Sequence, residues 1–336
     1  MNRPGQASTR RIGAALRERL RPGAKGGALG GVLNGRPVWA DAIEQGDDEG
    51  YFGPGSAAWL VHGGLETTIA GVRALLMQTL HPGAMAGVHD WSRYHEDPLG
   101  RLGGTIQWLV TVTFADRATA VTESGRVSRF HSRVVGTYLD AQEAERPYAA
   151  GDPELLSWVH VVFADAFLTS TRIWGPPIPG GGDQYVREWA TAAEMLGIED
   201  PPRSDRELRE RLDGFRDAGI LKSDARVAEA VHFIRHPPLP KKFLPVYRVL
   251  FAAAVASIPR DYRRLIGVRR SWWPARTVAR ALLWLFRRVV GERSGAEKAA
   301  LGRVARLAEA TSGEGSTDAA AAGAATDDAP NHSAAA

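Results

Sequence analysis

The chain has 336 residues, of which 44% are hydrophobic, and it carries a formal net charge of +4. This is enough apolar material for one large core or for two closely joined domains. Because the chain has no cysteine, disulfides, iron–sulfur clusters, thiolate-ligated haem and covalently attached haem are all excluded.

The charge lies mainly at the two ends of the chain. Residues 1–36 hold eight Lys or Arg and one Glu, whereas residues 310–336 hold four acidic residues and no basic one. The body between them is nearly neutral, so the basic balance does not indicate a nucleic-acid partner. We predict a basic flexible arm at 1–36, an all-helical domain at 37–309 and a disordered Ala/Gly/Ser/Asp tail at 310–336.

Targeting signals are not recognisable in the sequence. No apolar stretch of the signal-peptide type follows the basic N-terminus, and no run reaches the roughly 18 apolar residues of a membrane span. The expected location is the cytoplasm. Peripheral membrane contact, through the basic arm or through residues 272–290, is left open.

Apolar periodicity predicts a first long helix at 67–80 and another at 101–114. Arg101, Thr105 and Trp108 recur at helical spacing, so they share one face of the second helix. Gly103 and Gly104 each cost about 1 kcal/mol in a helix relative to alanine. Either a flat ligand approaches the backbone here, or the first turn is simply frayed.

The next helix is predicted at 118–144 and contains the most unusual polar residue of the chain, His131. Its apolar face also holds Val127, Val134, Val135 and Tyr138. An imidazole in such a stripe is costly unless something engages it. Ser124 and Ser128 are small enough to leave space for a flat partner. His131 is therefore either a core histidine bonded to a carbonyl or a haem ligand, with Arg101 and Thr105 free to meet propionates or an oxygen-derived ligand.

Two further histidines are candidates for the same pocket. His81 follows the first long helix and can line the pocket. A helix predicted at 153–174 has an apolar face that includes His160. His160 is a candidate sixth iron ligand, a hydrogen-bond donor near bound oxygen, or a core histidine satisfied by a carbonyl.

The last third of the chain is predicted to be helical and contains an arginine-rich segment. Helices are expected at 185–196, 203–221, 227–235 and 243–257, and residues 260–293 hold ten arginines and two acidic residues. Within this segment the predicted apolar face consists of Val278, Leu282, Leu285 and Val289, opposite Arg276, Arg280 and Arg287. Such a helix either docks on the core or lies at a lipid surface.

An ordered series of short motifs runs through the chain. It comprises residues 71–82, 87–92 and 97–105, then His131 with Val134 and Gly136, then 158–160, 172–175, 185–188 and 196–197, and finally Ile258-Pro259 with Arg263. Over roughly residues 50–290 this series resembles the catalytic domain shared by the MpaB-type oxygenases and the rubber oxygenases, or latex-clearing proteins.

The resemblance implies an all-α fold, a single globular multi-helix domain with a buried pocket for non-covalent haem b. His131 matches the position of the proximal iron ligand. Arg101 and Thr105 match the Arg-x-x-x-Thr pair, to which we assign the catalytic role. His81 and His160 are the remaining candidates to line the haem pocket.

The implied function is that of a haem-dependent oxygenase, an oxidoreductase that uses O₂ on an apolar substrate, isoprenoid or another alkene. The rubber-cleaving members use an acidic residue upstream of the arginine as a distal base. Here residues 84–90 are mostly small and apolar, and Asp90 and Glu96 are the only candidates. The alternative function is a non-catalytic helical binding module attached to a membrane or to a protein partner.

Overall fold

The computed structural model describes residues 38–91, 98–268, 272–291 and 293–324. The side chains of residues 98–101 and 313–324 lie outside this description, as does the arm predicted at 1–36. The described part is mainly helical, which confirms the predicted fold class, and its secondary structure includes one two-stranded sheet.

The described helices and strands follow the chain in this order: α1 Val38–Glu44, α2 Ala57–Gly63, α3 Thr67–Gln78, α4 Pro82–Trp91, α5 Pro98–Phe114, α6 Arg117–His131, β1 Val135–Leu139, β2 Glu145–Ala149, α7 Pro153–Trp174, α8 Gly181–Glu194, α9 Asp205–Asp217, α10 Ala225–Arg235, α11 Leu244–Ser257, α12 Arg260–Leu265, α13 Ala275–Val290 and α14 Gly295–Ala324. A short 3-10 turn, Lys241–Phe243, precedes α11.

The centre of the fold is the pair formed by α3 and α7. Both helices contribute fully buried side chains to the main core, and the indole of Trp158 on α7 donates a hydrogen bond of 3.2 Å to the carbonyl of Gln78 at the end of α3. Helix α11 packs against α3, and α8 and α9 pack against α7. Helices α8, α9 and α11 are thus arranged around one buried pair.

Local signals in the sequence explain where several helices begin. The side chains of Asp116, Ser204 and Asp224 accept hydrogen bonds from backbone N–H groups in the first turns of α6, α9 and α10. Such caps satisfy donors that have no partner inside the helix. Pro153 opens α7, where a missing N–H costs nothing, and Gly175 ends it. The predicted bounds of this helix, 153–174, are confirmed.

The helix predicted at 118–144 is wrong beyond His131. Helix α6 ends there, and the chain continues into an antiparallel hairpin in which Val135 pairs with Ala149 and Leu139 with Glu145. The segment after His131 is rich in β-branched and aromatic residues, which favour strands. Asp140 closes the turn, because its carboxylate accepts the N–H groups of residues 142 and 144 at 2.9 Å each.

A glycine holds the two strands of the hairpin in close contact. A Cβ atom placed on Gly136 would lie 2.9 Å from the ring of Tyr148 on the opposite strand. That distance is shorter than a van der Waals contact, so a larger residue would push the ring away. Tyr148 itself packs with Ala86, Val134 and Leu155 in a second, smaller core cluster. The hairpin is thereby fixed against α4 and α7.

The C-terminal helix α14 extends into the region for which the sequence predicts a disordered tail. Its backbone is helical to Ala324, and residues 325–336 lie outside the description. Alanine has the highest helix propensity of all residues, which favours a helix even where no apolar side chain is large enough to pack.

Helix α14 is tied to the N-terminal part of the fold by one buried guanidinium. Arg303 donates hydrogen bonds to the backbone carbonyls of Ile43, of Asp48 at 2.9 Å and of Phe114 at 2.8 Å. Arg306 donates to the carbonyls of residues 44 and 46. These bonds satisfy carbonyls that would otherwise be buried without partners.

An ion pair lies inside the central helix pair. The guanidinium of Arg73 on α3 donates to the carboxylate of Asp165 on α7, and the two side chains are only 2% and 14% exposed. Removing one partner of such a pair leaves an uncompensated buried charge, whereas removing both does not.

Replacing Arg73 with methionine is therefore expected to lower the free energy of unfolding by about 3–5 kcal/mol. The double variant Arg73→Met/Asp165→Leu should recover most of this loss. The control Arg206→Met breaks an exposed pair with Glu210 and should cost about 0–1 kcal/mol. Urea titration at constant pH measures all three. If Arg73→Met costs no more than the control, the buried pair is not a stabilising element of the core.

Candidate functional site

Helices α5 and α6 form an antiparallel pair joined by only two residues, Ala115 and Asp116. Midway along the pair, the indole nitrogen of Trp108 donates a hydrogen bond of 3.2 Å to the hydroxyl of Ser124. The Trp108 ring also meets the ring of Trp189 on α8 edge-on, with centroids 6.0 Å apart. These contacts show which faces of α5 and α6 meet.

The predicted site residues lie on those same two faces. Along α5, Thr105 and Arg101 lie three and seven residues before Trp108; along α6, Ser128 and His131 lie four and seven residues after Ser124. Residues at these spacings share one side of a helix. Because the helices are antiparallel, both sets run toward the same end of the pair. The helix turns of Arg101, Thr105 and His131 therefore lie toward this end of the pair, although the Arg101 side chain lies outside the described residues.

His131 is the last residue of α6, and its ring is partly buried. Burial lowers the pKa of this imidazole below its usual value. The ring is therefore neutral at neutral pH, which is the form that coordinates a metal. No hydrogen bond links the ring to another residue in the described part of the chain.

Open space lies beside the first turns of α5. A Cβ atom added at Gly104 would meet no other atom of the described residues within 4 Å, and the neighbouring Thr105 is only partly buried. That a flat ligand approaches the backbone here stays a prediction. The expected space at Ser124 is not present, because Trp108 and the sulfur of Met195, 3.7 Å from the hydroxyl, already occupy it.

His81 is bound on both ring nitrogens by the fold itself. Its Nδ1 accepts the backbone N–H of Gly83 at 3.2 Å, and its Nε2 lies 3.2 Å from a carboxylate oxygen of Glu154. Burial lowers its pKa, against the opposing effect of Glu154. The ring is fully buried among Trp158, Phe215 and Tyr138. In this arrangement His81 holds the start of α4 and has no free nitrogen for a ligand.

His160 is a buried residue of α7. Its neighbour on α7, Leu156, packs with Ala193 and Ile198 near the end of α8. Burial, reinforced by the charge of Arg211, lowers the pKa of His160 to about 4. Its Nε2 has no partner among the described residues. Met195, directly after α8, contacts α6, since its sulfur lies 3.7 Å from the Ser124 hydroxyl.

His62 on α2 was not singled out by the sequence reasoning. It stacks on Trp189 with centroids 4.2 Å apart, and its Nε2 hydrogen-bonds with the hydroxyl of Tyr185 at 3.2 Å. Complete burial lowers its pKa to about 3. The apolar run from Trp59 to Gly63 predicts burial, but only the tertiary structure shows what surrounds the ring. Trp189 connects His62 to Trp108 and so to the candidate site.

Of the two candidates for a distal base, only Asp90 lies within the described residues. Asp90, near the end of α4, has one carboxylate oxygen 3.0 Å from the ring of His89 and the other 3.3 Å from the Tyr148 hydroxyl. It is thus engaged with the hairpin. Glu96 lies outside the described residues.

A surface cleft of about 480 Å³ lies beside α9 and includes none of the predicted site residues. Asp200, Glu207, Glu210 and Arg211 give it a charged lining, unlike a site for an apolar substrate. Among the described residues there is also no group of three or more His, Cys, Asp or Glu arranged to hold a metal ion. No helix in the described ranges is both long and apolar enough to cross a bilayer.

The family model described as "ER-bound oxygenase mpaB/B'/Rubber oxygenase, catalytic domain" matches residues 59–292, more than two thirds of the chain. The chain belongs to this family. The match confirms the resemblance seen in the motifs, and it includes both helices of the candidate site. The MpaB/rubber oxygenase family is defined by an oxygenase catalytic domain, so the protein is assigned to the oxidoreductases. No curated protein and no solved structure matches the sequence significantly.

Two buried histidines, His62 and His160, make stability depend on pH. Unfolded His62 and His160 bind a proton near pH 6.5, whereas the folded residues do so only near pH 3 and pH 4. Unfolding therefore takes up protons below pH 6.5, and the stability present at neutral pH is lost as the pH falls. Each histidine is expected to remove up to about 2 kcal/mol between pH 7 and pH 5.

The variant His160→Gln should reduce this pH dependence by one histidine's share. The matched variant His232→Gln, at an exposed position on α10, should leave it unchanged. Urea titrations at several pH values between 7 and 5 provide the comparison. Equal slopes in the wild type and His160→Gln would mean that the pKa of His160 is the same in the folded and the unfolded protein.

Proposed function

We propose that the protein is a haem-b-dependent oxygenase in which His131 is the proximal iron ligand. The observation that supports this proposal is the antiparallel pairing of α5 and α6. In this pairing Thr105 and His131 lie toward the same end of the helix pair. Family membership supports the oxygenase chemistry. The haem, the iron and the identity of the substrate are proposed in addition to the family match.

The residues present fit a flat, iron-containing group. A neutral imidazole without a described hydrogen-bond partner offers a lone pair, and the space at Gly104 lies on the facing helix. Since the chain has no cysteine, the haem would be held by histidine and by burial alone. When bound, haem supplies iron that binds and activates O₂.

The chain's own side chains have separate roles in this site. His131, at the C-terminal end of α6, would hold the iron of the haem. Arg101 provides a positive charge and five N–H donors suited to a carboxylate such as a propionate. Thr105, one turn further along α5, provides a hydroxyl that can donate a hydrogen bond to a polar group on the open side. Trp108 closes the inner end of the site against Ser124 and so excludes water from it.

The substrate is proposed to be apolar, an isoprenoid or another alkene. The helices around the site carry aliphatic and aromatic side chains, whereas the charged cleft beside α9 lies elsewhere. Cleavage of polyisoprene itself is not part of the proposal, because the only described candidate for a distal base, Asp90, is engaged by His89 and Tyr148.

Absorption spectra of the purified protein test the haem assignment. The wild type, reconstituted with hemin where necessary, should show a Soret band. The variant His131→Gly should lose it, and added imidazole should restore it by filling the vacated position. His232→Gly is the matched control and should keep the band. A colourless wild type that cannot be reconstituted, or an unchanged spectrum in His131→Gly, would contradict the proposal and favour a non-catalytic binding module.

The roles of Arg101 and Thr105 can be separated by their effects on haem retention. A charge-assisted hydrogen bond contributes about 1.5–3 kcal/mol, so Arg101→Gln is expected to speed haem loss to apomyoglobin by about tenfold or more. Thr105→Val should retain haem at the wild-type rate and show its defect in O₂ consumption with an alkene substrate. If Arg101→Gln releases haem no faster than the wild type, Arg101 does not anchor the propionates.

A further inference from the structure

Helix α13 and the turn before it expose an unusual amount of aromatic surface. Trp273 is 90% exposed, and Trp272, Trp284 and Leu285 are each about half exposed. Three arginines are exposed on the same helix, Arg276, Arg280 and Arg288. We call these seven residues the tryptophan–arginine face. Large exposed apolar groups gathered in one region mark an interaction site more often than single ones do.

The tryptophan–arginine face is not the face expected from the sequence. The buried stripe of α13 consists of Ala275, Ala279 and Leu283, so the helix packs closely on the core through its smallest residues. Leu285, predicted to face the core, points outward instead. The core contact is therefore complete without the tryptophans, which remain available to a partner.

The arginines of this face keep their positive charge available. Arg276 and Arg280 donate to the backbone carbonyls of Ala256 and Ile173, each at 2.8 Å, and Arg288 lies 4.9 Å from the centroid of the Trp284 ring. Within the described residues, none of the three is paired with a carboxylate. A partner that carries negative charge would thus meet uncompensated cations beside exposed indole rings.

We propose that the tryptophan–arginine face docks the protein onto an anionic lipid bilayer. Indole rings are favoured at the level of the lipid headgroups, where the ring is half in an apolar environment and the N–H remains hydrated. Arginines bind lipid phosphates in two-point geometry and place their aliphatic stems along the acyl chains. Helix α13 is about 24 Å long, suited to lie along the surface. Such docking is independent of haem, so its failure and that of the proposed oxygenase site can be told apart.

The test is flotation of the full-length protein with vesicles. One set contains phosphatidylcholine alone, and the other contains ~30 mol% phosphatidylserine in phosphatidylcholine. The wild type should float with the anionic vesicles and much less with the neutral ones, and rising salt should weaken the binding. Trp273→Ala/Trp284→Ala should weaken it about tenfold or more. Trp273 and Trp284 are exposed, so these changes leave the core intact, which thermal melting verifies.

A charge-matched pair of variants separates a specific surface from net charge. The variant Arg276→Gln/Arg280→Gln should weaken binding to anionic vesicles by about tenfold or more. Each arginine near an anionic surface contributes a factor on the order of ten at most, and this variant removes two. Arg206→Gln/Arg235→Gln removes the same charge from exposed positions on α9 and α10 and should have little effect.

Several outcomes would overturn the proposal. One is a wild type that does not float with anionic vesicles, and another is an equal loss of binding in both arginine double variants. Wild-type binding by the tryptophan variant would place the contact elsewhere, for example on residues 1–36. Self-association of the wild type in sedimentation equilibrium, abolished in the tryptophan variant and without vesicle binding, would make a second copy of the chain the partner.

Discussion

The hydrogen bond from the Trp108 indole to the Ser124 hydroxyl sets the relation between α5 and α6, and the candidate site depends on it. Each residue along a helix turns the side-chain direction by about 100°. A change of one residue in the contact between these helices would therefore direct Thr105 and His131 away from each other. The bulky indole of Trp108 also needs a small residue opposite, such as Ser124. It therefore makes this contact at one position of α6 and not at the neighbouring positions.

The elements that were predicted well are those with local signals at their ends. Helix α7 begins at Pro153 and ends before Gly175, and its periodicity is strong between them. The spacing of Arg101, Thr105 and His131 places them on α5 and α6, and their roles in a site stay a prediction. The hairpin was missed because Val134, Val135 and Tyr138 fit the spacing of a helix, while alternate residues of the same segment also fit a strand. Gly136 and Asp140 were the local evidence for the strand and its turn.

Other features could not be read from the sequence because they depend on tertiary packing. The environment of His62 is made by α7 and α8, which are about a hundred residues further along the chain. Helix α13 was assigned the wrong inner face because large apolar residues were expected inside. Ala275 and Ala279 instead allow the helix to approach the core closely, which is a matter of fit between surfaces. The periodicity of apolar residues indicates how many residues of a helix can be buried. It does not indicate which of two weakly apolar faces is the buried one.

The bonds made by Arg303 show that the folding unit extends beyond the family match. That match ends at residue 292 and begins at residue 59, yet the guanidinium of α14 satisfies carbonyls at Ile43, Asp48 and Phe114. A polypeptide trimmed to the matched segment would lose both the donor and two of its acceptors, and would leave the Phe114 carbonyl at the end of α5 unsatisfied. Recombinant expression of the catalytic unit therefore requires α1 and the first three turns of α14, since the helix that carries Thr105 is anchored by them at its far end.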